Sequence, residues 1–175
     1  MDFDVFAFEL EKFTPKNLIT PGTLNSLCEE IEEIEPALLN ACGCYVFALR
    51  ASKGYKPWYV GQANKSRLVN ESLNPSNRGK YNEVLAHNFG TPIMFLLPQV
   101  TRSGDWFTKP TVTVSGRASI NFLEEWLIAS ALQKNPNLLN EKKTAFLRKL
   151  HVTGIFNPKK GESHVYSRAL KKALF

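Results

Sequence analysis

Glu124 stands where a charge is costly. Ile120, Leu123, Leu127, Ile128 and Ala131 recur at helical spacing and mark one apolar face, with Glu124 in the middle of it. A carboxylate on such a stripe needs a cation, a metal or a set of hydrogen bonds, or else it lies at the stripe's edge against water. Glu125 points about 100° further around the helix and is the weaker candidate for chemistry. The second concentration of reactive groups is a pair of tyrosines. Gly43-Cys44-Tyr45 and Tyr59-Val60-Gly61 flank a turn near Ser52 or Lys53. That arrangement brings the two phenols opposite or diagonal on adjacent strands, roughly 5–8 Å apart. Two phenols beside a basic loop can orient and deprotonate a water attacking a phosphodiester; they can equally be a packed aromatic pair. Gly61 permits a close backbone approach or a positive φ. The three cysteines (Cys28, Cys42, Cys44) and three histidines (His87, His151, His164) show no zinc-ligand spacing. They read as unbridged thiols of a reducing cytosol, and His87 as a structural residue.

These groups need a sheet and a long helix to position them. Gly43–Arg50 reads as a strand from its β-branched and aromatic content, and Trp58–Gly61 returns as the second strand of a hairpin. Pro92–Pro98, short and apolar, fits a buried strand. Ala118–Lys134 is the clearest helix. Shorter helices are expected around Arg67–Leu73, Tyr81–Asn88, Thr144–Leu150 and at the basic C-terminus, with a brief strand at Thr111–Val114. Ahead of the hairpin, Phe3, Val5 and Phe8 form an amphipathic strand. A helix follows it, with stripe residues Leu24, Leu27, Ile31 and Ile34, capped by Thr23 or Asn25.

A chain of 175 residues, 43 % hydrophobic and 22 % charged, suits one domain and excludes disordered and collagen-like classes. No apolar run approaches the length of about 18 residues that a membrane-spanning helix needs. The acidic start, Met1-Asp2-Phe3-Asp4, lacks the basic region of a secretory signal. The net charge of +6 is unevenly spread: residues 1–40 hold nine acids against Lys12 and Lys16, a net of −7, which leaves +13 on residues 41–175. Such a surplus points to a polyanion, most simply nucleic acid, against the plainer reading of a solvated basic surface.

Taken in order, Gly43-Cys44-Tyr45, Tyr59-Val60-Gly61, Glu124-x-x-Leu127-Ile128 and Leu139-Asn140 resemble the GIY-YIG nuclease family. The resemblance covers residues 43 to 140 and implies an α+β fold, a small three-stranded antiparallel sheet flanked by helices. Residues 1–40 would then be an acidic N-terminal extension packed on the core. Residues 41–175 would be the nuclease domain with a basic helical tail. It implies a metal-dependent endonuclease acting on DNA rather than RNA, without a membrane. Tyr45 would be a general base, direct or through water, and Tyr59 would position the nucleophile or phosphate. Glu124 would hold Mg²⁺ or Mn²⁺, and Asn140 would support the site through hydrogen bonds. Gly43 and Gly61 complete the motifs, and Lys65, Arg78 and Lys80 would contact nucleic acid.

The match departs from the family at its arginine. Arg67 follows Gly61 sooner than the family's arginine does, and Glu71 stands one turn on, where the family has a histidine or similar group. Either Arg67 serves from a shorter loop, or Arg78 or Lys80 replaces it, or the phosphate-binding cation is gone. Its loss would favour the rival reading, a nucleic-acid-binding module without catalysis that uses its basic surface and aromatics such as Trp106 and Phe107. A structural protein whose acidic start packs on its own basic remainder is the third possibility.

Overall fold

The computed structural model describes residues 2–52, 54–101, 107–141, 144–156 and 164–174. Trp106, one of the aromatics expected to meet nucleic acid, and Lys53 at the hairpin turn lie outside them. The class is α+β, but the sheet has four antiparallel strands, not three. In order along the chain the elements are β1 (Phe6–Glu9), α1 (Pro21–Ile34), a 3₁₀ turn (Pro36–Asn40), β2 (Gly43–Ala51), β3 (Gly54–Ala63), α2 (Leu68–Ser72), α3 (Pro75–His87), β4 (Thr91–Pro98), α4 (Ala118–Lys134), α5 (Thr144–Lys149) and α6 (Val165–Leu174). The strand order is β1-β4-β2-β3. The extra strand is the amphipathic segment of the acidic N-terminal region. Phe6 pairs with Leu96 and Phe8 with Met94, so β1 covers the edge of β4 and puts Phe8 in the core. Among the described residues no helix is long and apolar enough to cross a membrane.

Both faces of the sheet are covered. On β2, Tyr45, Phe47 and Leu49 face α1, α2 and α3, where Leu27, Ile31, Leu68 and Tyr81 complete the larger core. Cys44 and Val46, with Val60 of β3, face α4 through Ile120, Ile128 and Leu132. The alternation of the strand thus sends Tyr45 to one layer and Cys44 to the other. Gly43 is required by sheet spacing: a Cβ there would collide with the Leu97 carbonyl on β4.

Local signals explain the boundaries. Helix α1 is capped by Thr20, whose N–H donates to Thr23 Oγ1 at 2.9 Å, with Pro21 opening the first turn; Thr23 is the box partner, not the cap. Helix α3 begins at Pro75, six residues before Tyr81, because Asn74 caps it by accepting from Asn77 N–H at 2.9 Å. Thr111–Val114 forms no strand, and Val112 and Val114 stand in solvent. Phe107 is not an exposed aromatic either: it packs edge-on against Phe6, ring centroids 6.0 Å apart.

Strand β3 is an edge strand, which is why Pro57 is tolerated in it. Its outer edge is closed by side chains and backbone of residues 135–140. Asn135 donates to the Pro57 carbonyl at 2.8 Å and Leu139 N–H to the Trp58 carbonyl at 2.9 Å. Asn140 then accepts from Val60 N–H at 3.0 Å and donates to Val60 C=O at 2.7 Å, imitating a paired strand.

Candidate active site

Register places the tyrosines. Tyr45 pairs with Gly61 and Phe47 with Tyr59, so Tyr59 lies diagonal to Tyr45 on the same face. Their ring centroids are 6.3 Å apart. Gly61 is the reason Tyr45 fits, since a Cβ at that position would run into its phenol oxygen. Tyr45 is 2 % exposed and its oxygen accepts from Asn77 Nδ2 at 2.9 Å. Burial, and then the neighbouring Tyr59, Glu71 and Glu124, push its pKa far above that of an ordinary phenol, against the opposing effect of the Asn77 bond. Such a phenol stays protonated well past neutral pH, with its oxygen engaged by Asn77. Tyr81 stacks on Phe47 with centroids 4.1 Å apart, and burial raises its pKa too.

Tyr59 is only half-buried, and a cation sits on it. Lys80 Nζ lies 4.4 Å from the Tyr59 ring centroid and 3.4 Å from its hydroxyl. Because β3 is at the edge, helices from both faces of the sheet meet around it. Lys80 comes from α3 on one face and Glu124 from α4 on the other. Tyr59, Lys80, Glu124, Gln62, Asn140 and Glu141 line one cavity of about 360 Å³. Glu124 is half-buried between Ile120 and Ile128, one turn to either side, and Glu125 points outward as expected.

The other expected residues divide. Arg67 is exposed at the N-terminus of α2 and does not line that cavity. Arg78 is tied back to its own segment, donating to the Leu73 carbonyl at 3.1 Å. Of the three cations considered for the phosphate, Lys80 is the one brought to Tyr59 and Glu124. Lys65 lines a neighbouring cleft, together with Gln62 and Glu71. Asn140 reaches the cavity wall, but both ends of its amide are committed to Val60. Asn77 and Gln62 were not singled out by the sequence. Asn74-Pro75, a helix start, was the available signal for Asn77, whereas nothing in the spacing marks Gln62.

Glu124 and Glu141 both line the cavity. A hard divalent cation that keeps most of its waters needs one or two carboxylates plus substrate oxygens, and this donor set fits it. Among the described residues no group of three or more His, Cys, Asp or Glu side chains could hold a metal without such help. The chain matches no family model, no curated protein and no solved structure.

Proposed function

We propose that the protein is a metal-dependent endonuclease that hydrolyses DNA phosphodiesters at a GIY-YIG-like site. The observation that carries the reading is the convergence of Tyr59, Lys80 and Glu124 on one cavity, with the buried Tyr45 ring 6.3 Å from that of Tyr59. The basic balance of residues 41–175 supports a polyanionic substrate. Lys80 supplies the positive charge for a phosphate oxygen in place of the exposed Arg67, held in position by the face and hydroxyl of Tyr59. Tyr59 orients the phosphate or the attacking water through its hydroxyl. Tyr45 packs behind Tyr59, its hydroxyl accepting from Asn77, and stiffens the sheet that carries the site. Glu124 holds Mg²⁺ or Mn²⁺, which when bound stabilises the charge developing on the phosphate and leaving oxygen. The half-burial of Glu124 keeps its carboxylate at the cavity wall, and Asn140 fixes the strand that carries Tyr59.

The exposure of Arg67 favours a second reading, a binding module that has lost catalysis. One assay separates the two: incubation with supercoiled plasmid, single-stranded and branched DNA, in Mg²⁺ and in EDTA. The endonuclease reading expects cleavage of at least one substrate in Mg²⁺ and none in EDTA. Retarded but intact DNA under both conditions selects the binding module.

A further inference from the structure

Next to the cavity of Tyr59, Lys80 and Glu124 lies a second, smaller cleft of about 290 Å³, and Gln62 forms the wall between the two. The orientation of that amide is determined by a relay of hydrogen bonds. Arg117 N–H donates to Asn64 Oδ1 at 2.9 Å, which turns the Asn64 Nδ2 toward Gln62 and Asn121. Asn121 accepts at 2.9 Å and is itself held by donating to the Ser115 carbonyl at 2.9 Å. Gln62 must therefore present its oxygen to Asn64, and its Nε2 remains for the clefts; among the described residues nothing accepts from it. The Glu71 carboxylate belongs to a residue lining the same smaller cleft and is fixed by Ser66 Oγ at 2.8 Å and Asn74 Nδ2 at 3.1 Å.

We infer that this cleft seats one unpaired nucleobase, adjacent to the phosphodiester held by Lys80. The inference rests on the proposed nuclease reading only for the position of that phosphate. An oriented N–H donor and a carboxylate acceptor on residues lining one cleft are complementary to the hydrogen-bonding edge of a base, which carries donors and acceptors side by side. A phosphate is disfavoured in the cleft interior because Glu71 repels it, whereas Lys65, exposed at the rim, suits the backbone outside. In a duplex the Watson–Crick edge is occupied by the partner strand, so the base that enters is unpaired.

The test is binding in EDTA, where no cleavage occurs, read by fluorescence anisotropy with the full chain. Three probes of equal length are used: a fluorescein-labelled single-stranded DNA, the same strand with every base replaced by an abasic residue, and the duplex. Wild type is expected to bind the intact strand roughly fivefold to tenfold more tightly than the abasic strand. Gln62→Ala and Gln62→Met should both lose most of that preference while leaving affinity for the abasic strand and the duplex within about twofold. Equal binding of intact and abasic strands by wild type, or a preference undiminished in both variants that retain the native near-UV spectrum, overturns the inference. So does the absence of any binding. Cleavage in Mg²⁺ without a base preference in EDTA leaves the nuclease reading standing and sinks the subsite. The preference without cleavage does the reverse.

Discussion

Tyr45 and Tyr59 lie on neighbouring strands with ring centroids 6.3 Å apart, yet the two ends of the site they define are unlike. The surroundings of Tyr45 are buried: a phenol enclosed by Phe47, Tyr81 and Gly61, with Asn77 as its polar partner. The rim around Tyr59 is open and charged, with Lys80 on its face and Glu124 beyond. Strand position makes the difference. Tyr45 belongs to β2, paired on both sides, and Tyr59 to β3, whose outer side is closed by a loop instead of a strand. One residue type is thus a packed phenol in the middle of the sheet and a half-buried one at its edge. The lesson is that burial, more than residue identity, assigns the chemistry of a tyrosine.

The largest way to break that contrast is to loosen the edge that carries Tyr59. Asn140→Ala leaves the Val60 N–H and C=O buried without partners, and should lower stability in chemical denaturation by roughly 2–4 kcal/mol. Asn140→Asp, which retains the acceptor and loses the donor, should fall between. A change below about 0.5 kcal/mol for the alanine variant would mean that residues 135–140 do not hold the strand.

A smaller effect compares the cations. Lys80→Ala should reduce single-turnover cleavage by roughly tenfold to a hundredfold, the cost of one phosphate contact of about 1.4–2.7 kcal/mol. Arg67→Ala should stay within about twofold of wild type, because the side chain stands in solvent outside the cavity. The opposite ranking would return the phosphate to Arg67.

The smallest expected change is at Tyr45. Tyr45→Phe removes one acceptor from Asn77 Nδ2, which keeps its bond to the Glu71 carbonyl at 2.9 Å, and should cost about 1 kcal/mol at pH 7. Its signature is in the pH profile. A phenol whose folded pKa is raised contributes stability fully below the unfolded value of 10.0, and loses it progressively as pH climbs above that value. Wild type should weaken from about pH 10 upward, and Tyr45→Phe should weaken less steeply, with Tyr81 supplying the remaining slope. Parallel profiles for the two proteins would show that Tyr45 is not held neutral by burial.

What the sequence made legible follows from how locally each feature is encoded. Helix α4 spans Ala118–Lys134, the bounds read from the recurrence of Ile120, Leu123, Leu127, Ile128 and Ala131, although Phe122 and Trp126 also put apolar side chains on its solvent face. The short turn between Ala51 and Gly54 starts the hairpin register, but the diagonal tyrosines depend on an irregularity between Phe47 and Ala48, where the pairing shifts by one residue; on the turn's register alone Tyr59 would pair with Val46 and face the other layer. The fourth strand was visible as an amphipathic segment, but four residues do not say which edge they will pair with; that depends on β4, some ninety positions away. The choice of Lys80 over Arg67 was equally out of reach. It turns on α3 beginning at Pro75, which sets the rotation of every later residue, and on β3 being an edge around which two layers of helices meet.

The central claim is that Glu124, on the far side of the edge strand from Lys80, makes the cavity a hydrolytic site. Mg²⁺-dependent cleavage of plasmid or branched DNA by Glu124→Gln, beside wild type and Glu125→Gln, tests it most directly. The account predicts that Glu124→Gln loses at least about a thousandfold in rate. Its thermal unfolding, and its affinity for DNA in EDTA, should stay close to wild type, and Glu125→Gln should cleave normally. Cleavage by Glu124→Gln within tenfold of wild type, or equal loss in both variants, would contradict it.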